Sequence, residues 1–580
     1  MSPRSRLSDT QARFLNRLYA RLSRRQKAAL GFVSSPEPRT IGSYARGRQL
    51  VAGNLLFSGY LVEAQNADLW AIDPPDSAYA EEIHGFAWLD DLAAVGDVPA
   101  RSLAQKWLFE WIEAHDDGSG PGWSPNLTGR RVIRWINHAL LVLRGVEKTE
   151  SEAFYRSLGR QTWFLSKRWS GAAPGLPRFE ALTGLIYAGL ALEGKEDLAR
   201  PAIAALAREC STQIDDQGGL PTRNPEELLE VFMLLTWAAA ALAEAQLDVP
   251  QDHVSAIARI APTLRALRHS DGSLARFHGG GRGLEGRLDH ALAASENKDR
   301  RGDGLAMGYA RLSGGRTSLI VDASPPPAGD ASLNAHASTL SFELTSGRRP
   351  LIVNCGSGAS FGLEWRRAGR ATPSHSVLCL DGFSSARLGD APQGSLTEPL
   401  VSAPTDVPHD VTTVEDGVRF EAGHNGYVPN YGLTHARILE MTFDGRGLAG
   451  EDMLFAIKDA DKRLFDAALD ATQLKGVSYA VRFHLHPDVD ATVDLGGAAI
   501  SMALKSGEIW VFRHDSAAHL SLEPSVFLEK GRLKPRATKQ IVLSGRAMEY
   551  ATSVRWSLAK AQETAIGVRD LTRDELEFND

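Results

Sequence analysis

The hydrophobic period of this chain changes once, and that change constrains the fold more than any other feature. Up to about residue 270 the apolar residues recur every three or four positions, as in "RVIRWINHALLVLRGV" and "PEELLEVFMLLTWAAAALAEA", which is the period of amphipathic helices. Beyond residue 304 the period becomes two, as in "GYARLSGGRTSLIVDAS", which indicates strands. The chain is therefore predicted to be a multidomain α+β protein, with a helical part followed by an antiparallel β-sandwich.

The same pattern divides the chain into five regions. Residues 1–40 contain a basic amphipathic helix, and helical hairpins spaced by roughly 25 residues over residues 41–270 predict an (α/α) toroid. Residues 271–304 are rich in glycine and charge and predict a linker. Residues 305–560 are assigned to the sandwich, and residues 561–580 to an acidic tail that we expect to fray.

Composition excludes several classes of protein. The 580 residues carry 64 Lys and Arg against 71 Asp and Glu, a formal net charge of −7, so no overall attraction for nucleic acid is expected. The cysteines Cys210, Cys355 and Cys379 are odd in number and lie in apolar surroundings, which favours reduced thiols over a disulfide framework. No signal peptide is recognised, and the apolar run at 231–243 is shorter than the ~20 residues that span a bilayer. We expect a cytoplasmic protein.

The N-terminal helix leaves two interpretations open. Its apolar residues recur at helical spacing and arginines surround them, in the segment "RFLNRLYARLSRRQK". A basic amphipathic helix can lie on an anionic membrane surface, which would give peripheral contact with the inner membrane. The alternative is a helix docked on its own protein with a solvated basic face.

Polar residues interrupt the apolar runs of the predicted sandwich. In "SLNAHASTLSFELTSGRRPLIVNCG", Asn334, His336 and Ser338 alternate along what the pattern predicts to be a strand, so they should share one face. Asn354 ends the next apolar run. Such a polar face is either solvated or part of a site.

A basic cluster follows in "EWRRAGRATPSHS", directly before His375. Its arginines suit the carboxylate or sulfate groups of an acidic glycan, because a guanidinium can bind such groups through two hydrogen bonds. A solvated basic loop is the alternative. The arginines concerned are Arg366, Arg367 and Arg370.

The order of these segments, a toroid followed by a sandwich with "NAHASTLSFEL", "RRPLIVNCG" and "ATPSHSVLCLDGF", resembles the bacterial heparinase II/III family of polysaccharide lyases. The resemblance implies an acidic polysaccharide held between toroid and sandwich, and cleavage of a uronide by β-elimination. It also implies a zinc site, whose ligands fall on His336, Asn354 and His375. Asn354 stands where the family has an aspartate, and a neutral carbonyl oxygen is a weaker zinc ligand than a carboxylate. The alternative is that both histidines are hydrogen-bonded interior residues.

The resemblance is weaker at the catalytic positions of the toroid. The segments "PGLPRFEALTGLIYAGL" and "QGGLPTRNPEELLEV" match the family motifs only in part, although Glu180 and Arg223 are retained. The family's catalytic residues correspond here to Leu176, Pro177, Glu227 and Asn334, and Leu220 replaces a further histidine.

A uronide lyase must neutralise the C5 carboxylate, remove the C5 proton and protonate the departing oxygen. In "AGHNGYVPNYGLTHARILEM" a predicted loop could deliver histidine and tyrosine side chains for proton transfer, or its tyrosines could simply pack against the sandwich. The catalytic candidates are Arg223, Asn334, His336, His424 and Tyr431. The substrate-binding candidates are Trp123, Arg134, Glu180, Asn224, Glu227, Arg366, Arg367, Arg370 and Tyr427.

Two functions follow from these residues. The leading hypothesis is a lyase-like protein that acts on a uronic-acid-containing glycan by β-elimination in the cleft between toroid and sandwich. The alternative is a catalytically altered glycan-binding or polysaccharide-assembly protein that keeps the lyase fold. The departures at the catalytic positions favour this alternative.

Overall fold

The computed structural model describes residues 9–33, 38–64, 68–299, 302, 304–380, 382–391, 397–515 and 517–561. The predicted acidic tail lies outside the described residues, apart from Ala561. The chain divides into two compact units. The first, called the helical unit below, comprises residues 1–220, 227–261 and 289–298, and the second, called the sandwich unit, comprises residues 221–226, 262–288 and 299–580.

Among the described residues up to 299, the chain folds into helices and one small hairpin, as the period of three to four predicts. The prediction of a helical toroid is confirmed. The hairpin is formed by β1 (Asn54–Phe57) and β2 (Tyr60–Glu63). The helices are α1 (Asp9–Ser23), α2 (Tyr44–Val51), α3 (Ser77–His84), α4 (Ala87–Val95), α5 (Val98–His115), α6 (Pro125–Asn137), α7 (Ala139–Val142), α8 (Lys148–Arg168), α9 (Leu176–Ala191), α10 (Ala199–Gln213), α11 (Pro225–Glu244), α12 (Gln251–Ala266) and α13 (Arg287–Ala294).

Helices α6 and α9 cross at a pair of glycines. A Cβ atom at Gly129 would lie 2.3 Å from the carbonyl oxygen of Glu180, and one at Gly184 would lie 2.6 Å from the Cα atom of Gly129. The two backbones therefore approach more closely than side chains would allow. This crossing places the Glu180 segment of α9 against α6.

Helix α1 is docked on α8. The rings of Tyr19 and Trp163 lie 6.2 Å apart, and Arg168 Nε donates to Asn16 Oδ1 at 2.8 Å. A second face of α1 still exposes large apolar side chains, with Phe14 66% exposed. Among the described residues, no helix combines the length and the apolar character that a membrane crossing requires.

The predicted antiparallel sandwich is also confirmed. Its strands are β3 (Tyr309–Gly314), β4 (Thr317–Asp322), β5 (Phe342–Ser346), β6 (Arg349–Val353), β7 (Leu378–Leu380), β8 (Arg387–Leu388), β9 (Leu400–Ser402), β10 (His409–Val414), β11 (Gly417–Tyr427), β12 (Leu433–Thr442), β13 (Gly447–Phe455), β14 (Val477–Leu485), β15 (Asp490–Asp494), β16 (Ala499–Ala503), β17 (Ile509–His514), β18 (His519–Phe527), β19 (Arg536–Ala547) and β20 (Ala551–Lys560). The helices that accompany them in the described residues are α14 (Leu363–Arg370), α15 (Val428–Tyr431) and α16 (Asp459–Ala471).

The strands form two large antiparallel sheets. In the described part of the chain, one has the order β10-β11-β12-β13-β20-β17-β16-β15, and the other has the order β18-β19-β14-β6-β5-β4-β3, with β7 paired to β14. Alternate residues of both sheets point into one apolar core, which includes Phe342, Phe483, Phe512 and Trp556. This core explains the period of two in the sequence.

Two local predictions were wrong. Asn334, His336 and Ser338 do not lie on a strand, because a 3₁₀ helix spans Gly329–Asn334 and an irregular segment runs from there to β5. The segment turns, with Ser341 N donating to Ser338 O at 2.8 Å. The stretch from His424 to Tyr431 is not a loop either, since it contains the end of β11, a bulge and helix α15.

The stretch 271–304, predicted to be a linker, contains α13 and contributes residues to both units.

Candidate functional site

A buried polar cluster lies at the end of β4 in the sandwich unit, centred on Arg223 and Asp322. Asp322 is 0% exposed, and its Oδ1 accepts from Arg223 Nη2 at 2.6 Å. The other four guanidinium hydrogens are donated to backbone carbonyls at 2.8 to 3.2 Å. All five N–H donors of Arg223 are therefore used inside the unit. The carbonyls belong to Met307, Gly308, Ser324 and Pro325.

The backbone of Arg223 is also held in place. Its φ of 50° lies in the left-handed region, which costs a residue with a side chain about 1 to 3 kcal/mol. The Tyr309 hydroxyl donates to Arg223 O at 2.5 Å, and the guanidinium lies 4.7 Å from the Tyr309 ring centre. Burial acts to lower the pKa of Arg223, but Asp322 and Tyr309 outweigh it and raise that pKa. The arginine is therefore charged and fixed, and its predicted role of neutralising a substrate carboxylate gains no support from this geometry.

Three histidines continue the cluster. His278 Nε2 lies 3.6 Å from Asp322 Oδ2, and His278 Nδ1 accepts from the backbone N–H of His336 at 3.1 Å. His336 Nδ1 and His375 Nε2 lie 3.1 Å apart, and His375 Nδ1 lies 2.9 Å from Ala371 O. A carbonyl can only accept, so His375 carries its proton on Nδ1 and accepts the Nδ1 proton of His336. This assignment leaves His336 Nε2 with a free lone pair.

The three imidazoles are neutral at pH 7. Burial lowers the pKa of His375 to about 4, with partial compensation by backbone carbonyls. Burial lowers the pKa of His336 well below its ordinary value, and the neighbouring His375 and His278 lower it further. Burial and then Arg223 lower the pKa of His278. A neutral His336 with a free Nε2 can accept a proton or a hydrogen bond, but it is a poor proton donor.

The predicted glycan-binding arginines separate into buried and accessible groups. Arg370 is 2% exposed, and its guanidinium donates to three backbone carbonyls, at 2.7 Å to Ala335 O, 2.9 Å to Ser332 O and 2.8 Å to Glu398 O. Burial lowers the pKa of Arg370 to about 10, so it is still charged. Its contacts are those of a structural residue.

Arg366 and Arg367 of α14 are less enclosed, since Arg366 is half-buried and Arg367 is exposed. Arg366 Nη2 donates to Leu333 O at 3.0 Å and to Oδ1 of the exposed Asn334 at 2.7 Å. The side chain of Arg367 is 62% exposed, and its Nε lies 3.0 Å from Glu398 Oε1. Arg366 thus joins Asn334 and lies close enough to His336 to add to the lowering of that histidine's pKa by burial, whereas Arg367 pairs with Glu398.

His424 lies in a second, fully enclosed network of the sandwich. His424 Nδ1 accepts from Gly426 N at 3.1 Å, so its Nε2 donates to His435 Nδ1 at 3.2 Å. His435 in turn donates to Asp452 Oδ1 at 2.9 Å, and Arg437 binds the same carboxylate through two hydrogen bonds. His424 is 1% exposed, so its predicted catalytic role gains no support.

The two tyrosines near this network pack against the sandwich, which was the alternative interpretation of their segment. Tyr427 is 1% exposed, and its hydroxyl donates to Leu378 O at 3.1 Å. The Tyr431 ring is half-buried and lies 5.0 Å from the ring of Phe383. Burial raises the pKa of Tyr427 well above its ordinary value. The Tyr427 hydroxyl is therefore used inside the sandwich and is not available to the cluster around Asp322.

The helical unit contains a separate cluster of charged residues that includes Arg134 and Glu180. Arg134 Nε donates to Asp90 Oδ2 at 2.9 Å, and Arg130 Nε donates to Glu180 Oε1 at 2.5 Å. Burial raises the pKa of Glu180, and Arg130 partly offsets this effect. Trp123, by contrast, is 3% exposed, and its Nε1 donates to His115 O at 2.8 Å. Trp123 is therefore a core residue in this structure and not an open sugar platform.

The two remaining candidates have local positions. Asn224 is half-buried in the sandwich unit, and its Oδ1 accepts from Glu226 N at 3.0 Å. Glu227 is half-buried in the helical unit, and a Cβ atom at Gly175 would lie 4.0 Å from its Oε1. The carboxylate of Glu227 therefore lies close to the start of α9.

Comparison with known proteins identifies the family to which this chain belongs. The family described as "Heparinase II/III-like, C-terminal" matches residues 297–557. FtsZ-localized protein C of Caulobacter vibrioides is 30% identical over 536 residues, which cover 91% of this chain and 89% of that protein. The chain belongs to the heparinase II/III-like family.

Solved structures of polysaccharide lyases share the fold. Heparinase III superimposes with a TM-score of 0.66 at 13% identity, covering 94% of this chain and 89% of that one. A mutant of the heparan sulfate lyase HepC from Pedobacter heparinus gives a TM-score of 0.56 at 15% identity, covering 95% and 88%. At these identities the likeness shows the fold alone.

The predicted zinc ligands of this family member do not form a complete site. His336 and His375 are joined by their own hydrogen bond, and Asn354 Oδ1 accepts from Ser376 N at 2.9 Å. Within the part of the chain that the structure describes, no three His, Cys, Asp or Glu side chains are grouped to hold a metal. Two imidazoles and an amide that already accepts a hydrogen bond fit zinc poorly. A zinc site at these residues stays a prediction.

Two of the toroid positions that correspond to family catalytic residues carry apolar side chains here. Leu176 and Pro177 are the first two residues of α9, and their side chains cannot titrate. Sequence reasoning missed Asp322 and His278, the partners of Arg223 and His336. Asp322 could have been found as a carboxylate that ends the buried run "TSLIVD", and His278 as the residue before the glycines of "RFHGGG".

Proposed function

We propose that this chain is a glycan-binding or polysaccharide-assembly protein that keeps the lyase fold without the family's elimination chemistry. The observation that carries the proposal is the saturation of Arg223, whose five donors are all used by Asp322 and backbone carbonyls. Elimination needs a group that neutralises the C5 carboxylate in the transition state. An arginine with no free donor cannot supply that group without breaking buried hydrogen bonds.

The proposed ligand is an acidic polysaccharide, and the proposed contacts are Asn334, Arg366 and Arg367. Arg367 is exposed, and a guanidinium binds carboxylate or sulfate through charge-assisted hydrogen bonds. The lone pair of His336 Nε2 would accept from a sugar hydroxyl. Such contacts use neutral and cationic groups already present and need no proton transfer.

The similarity to FtsZ-localized protein C suggests where this chain acts in the cell. Its name states that FtsZ-localized protein C localises with FtsZ, and we propose the same for this chain, in the cytoplasm. A fluorescent fusion of the full chain should colocalise with FtsZ in cells that express both. A diffuse signal in cells with intact FtsZ assemblies would contradict this part of the proposal.

Glycan binding is tested by titrating heparan-type and alginate chains against the full protein at low and moderate salt. The double variant Arg366→Gln/Arg367→Gln should bind at least roughly tenfold more weakly, because each lost charge-assisted hydrogen bond contributes about 1.5 to 3 kcal/mol. The matched control is Arg348→Gln, an exposed arginine elsewhere in the same unit. Equal affinity of the double variant and the control would contradict the proposed site.

A second candidate function is a lyase in which His336 is the base. The observation that favours it is the hydrogen-bond relay from His336 through His375 to Ala371 O, which supports a free lone pair on His336 Nε2 at neutral pH. In this function Asn334 or Arg366 would have to bind the substrate carboxylate. An elimination assay separates the two candidates.

A further inference from the structure

A cavity of about 540 Å³ opens in the helical unit where α6 ends and α7 begins. Most of its lining residues are apolar, and aromatic rings form one side, with the ring centres of Phe32 and Tyr155 5.3 Å apart. Ile136, Leu140 and Leu143 line the rest of the walls. A cavity of this size can hold one or two amino-acid residues or a small molecule.

One polar side chain in the cavity lining has no partner. Asn137, the last residue of α6, is 3% exposed. Neither its Nδ2 nor its Oδ1 makes a hydrogen bond within the described residues. A buried carboxamide left unsatisfied destabilises the folded state, so it calls for an explanation. A ligand that offers one acceptor and one donor side by side would satisfy both atoms.

A cation and an exposed apolar side chain complete the lining. Arg144 contributes to it and forms no ion pair with any residue that the structure describes. Leu140 is 75% exposed, although α7 exposes its other residues much less. An exposed leucine beside an unpaired guanidinium suits a ligand with an apolar group and a negative charge.

We propose that this cavity binds a peptide segment with an apolar side chain next to a carboxylate. The peptide N–H would donate to Asn137 Oδ1, and the peptide carbonyl would accept from Asn137 Nδ2. The apolar side chain would pack among Phe32, Leu143 and Tyr155, and the carboxylate would pair with Arg144. A neutral sugar is a poorer fit, because it offers neither an apolar side chain for the aromatic rings nor a negative charge for Arg144.

The probe that tests the site is N-acetyl-L-leucine, which combines one amide, one isobutyl group and one carboxylate. Its binding to the full chain can be followed by ligand-observed NMR. Asn137→Leu should weaken binding at least tenfold while the protein stays folded, because the variant removes an unpaired buried amide and keeps the branched shape of the side chain. Arg144→Gln should weaken binding several-fold, and the matched control Arg208→Gln, an exposed arginine on α10, should leave it unchanged.

Two further probes make the assignment specific. 4-Methylpentanoate keeps the apolar group and the carboxylate but lacks the amide, so it should bind more weakly than N-acetyl-L-leucine. N-Acetylglucosamine keeps the amide alone and should not compete. The proposal is overturned if N-acetyl-L-leucine does not bind, if Asn137→Leu binds it as well as wild type does, or if N-acetylglucosamine displaces it. None of these variants touches the proposed glycan contacts, so either proposal can fail alone.

Discussion

Arg223 and Asp322 form a buried ion pair at 2.6 Å, and Ser338 donates its hydroxyl to the second carboxylate oxygen at 2.7 Å. The pair fixes the end of β4 and the turn that contains Met307 and Gly308. Because of this ion pair, Arg223, which is retained from the family motif, has a structural role. The proposed loss of elimination chemistry depends on this relationship.

Removing the arginine should therefore destabilise the protein. Arg223→Ala leaves Asp322 buried without its partner, which costs about 3 to 5 kcal/mol in the free energy of unfolding. Arg223→Lys should recover little of this, because an ammonium cannot replace five forked donors. Urea unfolding measures the free energy of unfolding of both Arg223 variants. The control Arg348→Gln should lie within about 0.5 kcal/mol of wild type. A loss below about 1 kcal/mol for Arg223→Ala would show that the pair is dispensable.

Stability should fall in acid partly because of His84 in the helical unit. Burial, and then Arg131, lower the pKa of His84 to about 3, whereas an unfolded histidine has a pKa of about 6.5. The unfolded state binds the extra proton, so this contribution is complete above pH 6.5 and is lost as pH falls towards 3. The slope is about 1.4 kcal/mol per pH unit. Between pH 6 and 4, His84→Gln should unfold with a pH slope shallower than that of wild type by this amount, and an unchanged slope would disprove the assignment.

Zinc should bind weakly. The two imidazoles would have to break their mutual hydrogen bond, and Asn354 supplies no charge, so we expect less than about 0.1 zinc per chain after dialysis. Asn354→Asp restores the carboxylate of the family pattern and should retain more metal. Stoichiometric zinc in the wild-type protein that disappears in His336→Ala would instead establish the family's metal site here.

Peripheral membrane contact through α1 stays a prediction that the exposed apolar face makes testable. The full chain should co-sediment with vesicles that contain anionic lipid. The double variant Phe14→Ser/Leu18→Ser should co-sediment less, by roughly tenfold or more, because two apolar side chains no longer insert into the membrane. Leu30→Ser is the control, since Leu30 is 76% exposed but lies beyond α1. Equal pelleting of the double variant and wild type would leave only the docked role on α8.

The two halves of the fold could be predicted because hydrophobic period is a local property. Alternation failed at Asn334, His336 and Ser338, where a 3₁₀ helix and a turn place polar residues at every second position without a strand. The role of Arg223 could not be predicted, because its partner Asp322 is distant in the sequence and its other four bonds go to backbone carbonyls. The residue types in the sequence do not show which backbone carbonyls a guanidinium will bind.

The burial of predicted sugar contacts has a similar cause. Trp123 and Tyr427 have the residue types of a glycan platform, but their neighbours in the fold enclose them. Only long-range packing distinguishes an enclosed aromatic ring from an open one. The arginines of α14 show the same limit. Arg367 and Arg370 are three residues apart and so are neighbours on the helix surface, but contacts with residues outside α14 bury Arg370 and leave Arg367 exposed.

The most direct test is an elimination assay on the full chain with alginate, heparan-type, chondroitin-type and bacterial exopolysaccharide substrates, following the absorbance of the unsaturated uronide at ~232 nm. We predict that the wild-type protein binds at least one of these glycans. Its absorbance change should be no larger than that of the His336→Ala variant. A wild-type signal that is lost in His336→Ala would contradict the proposal and establish a lyase that uses the histidine relay.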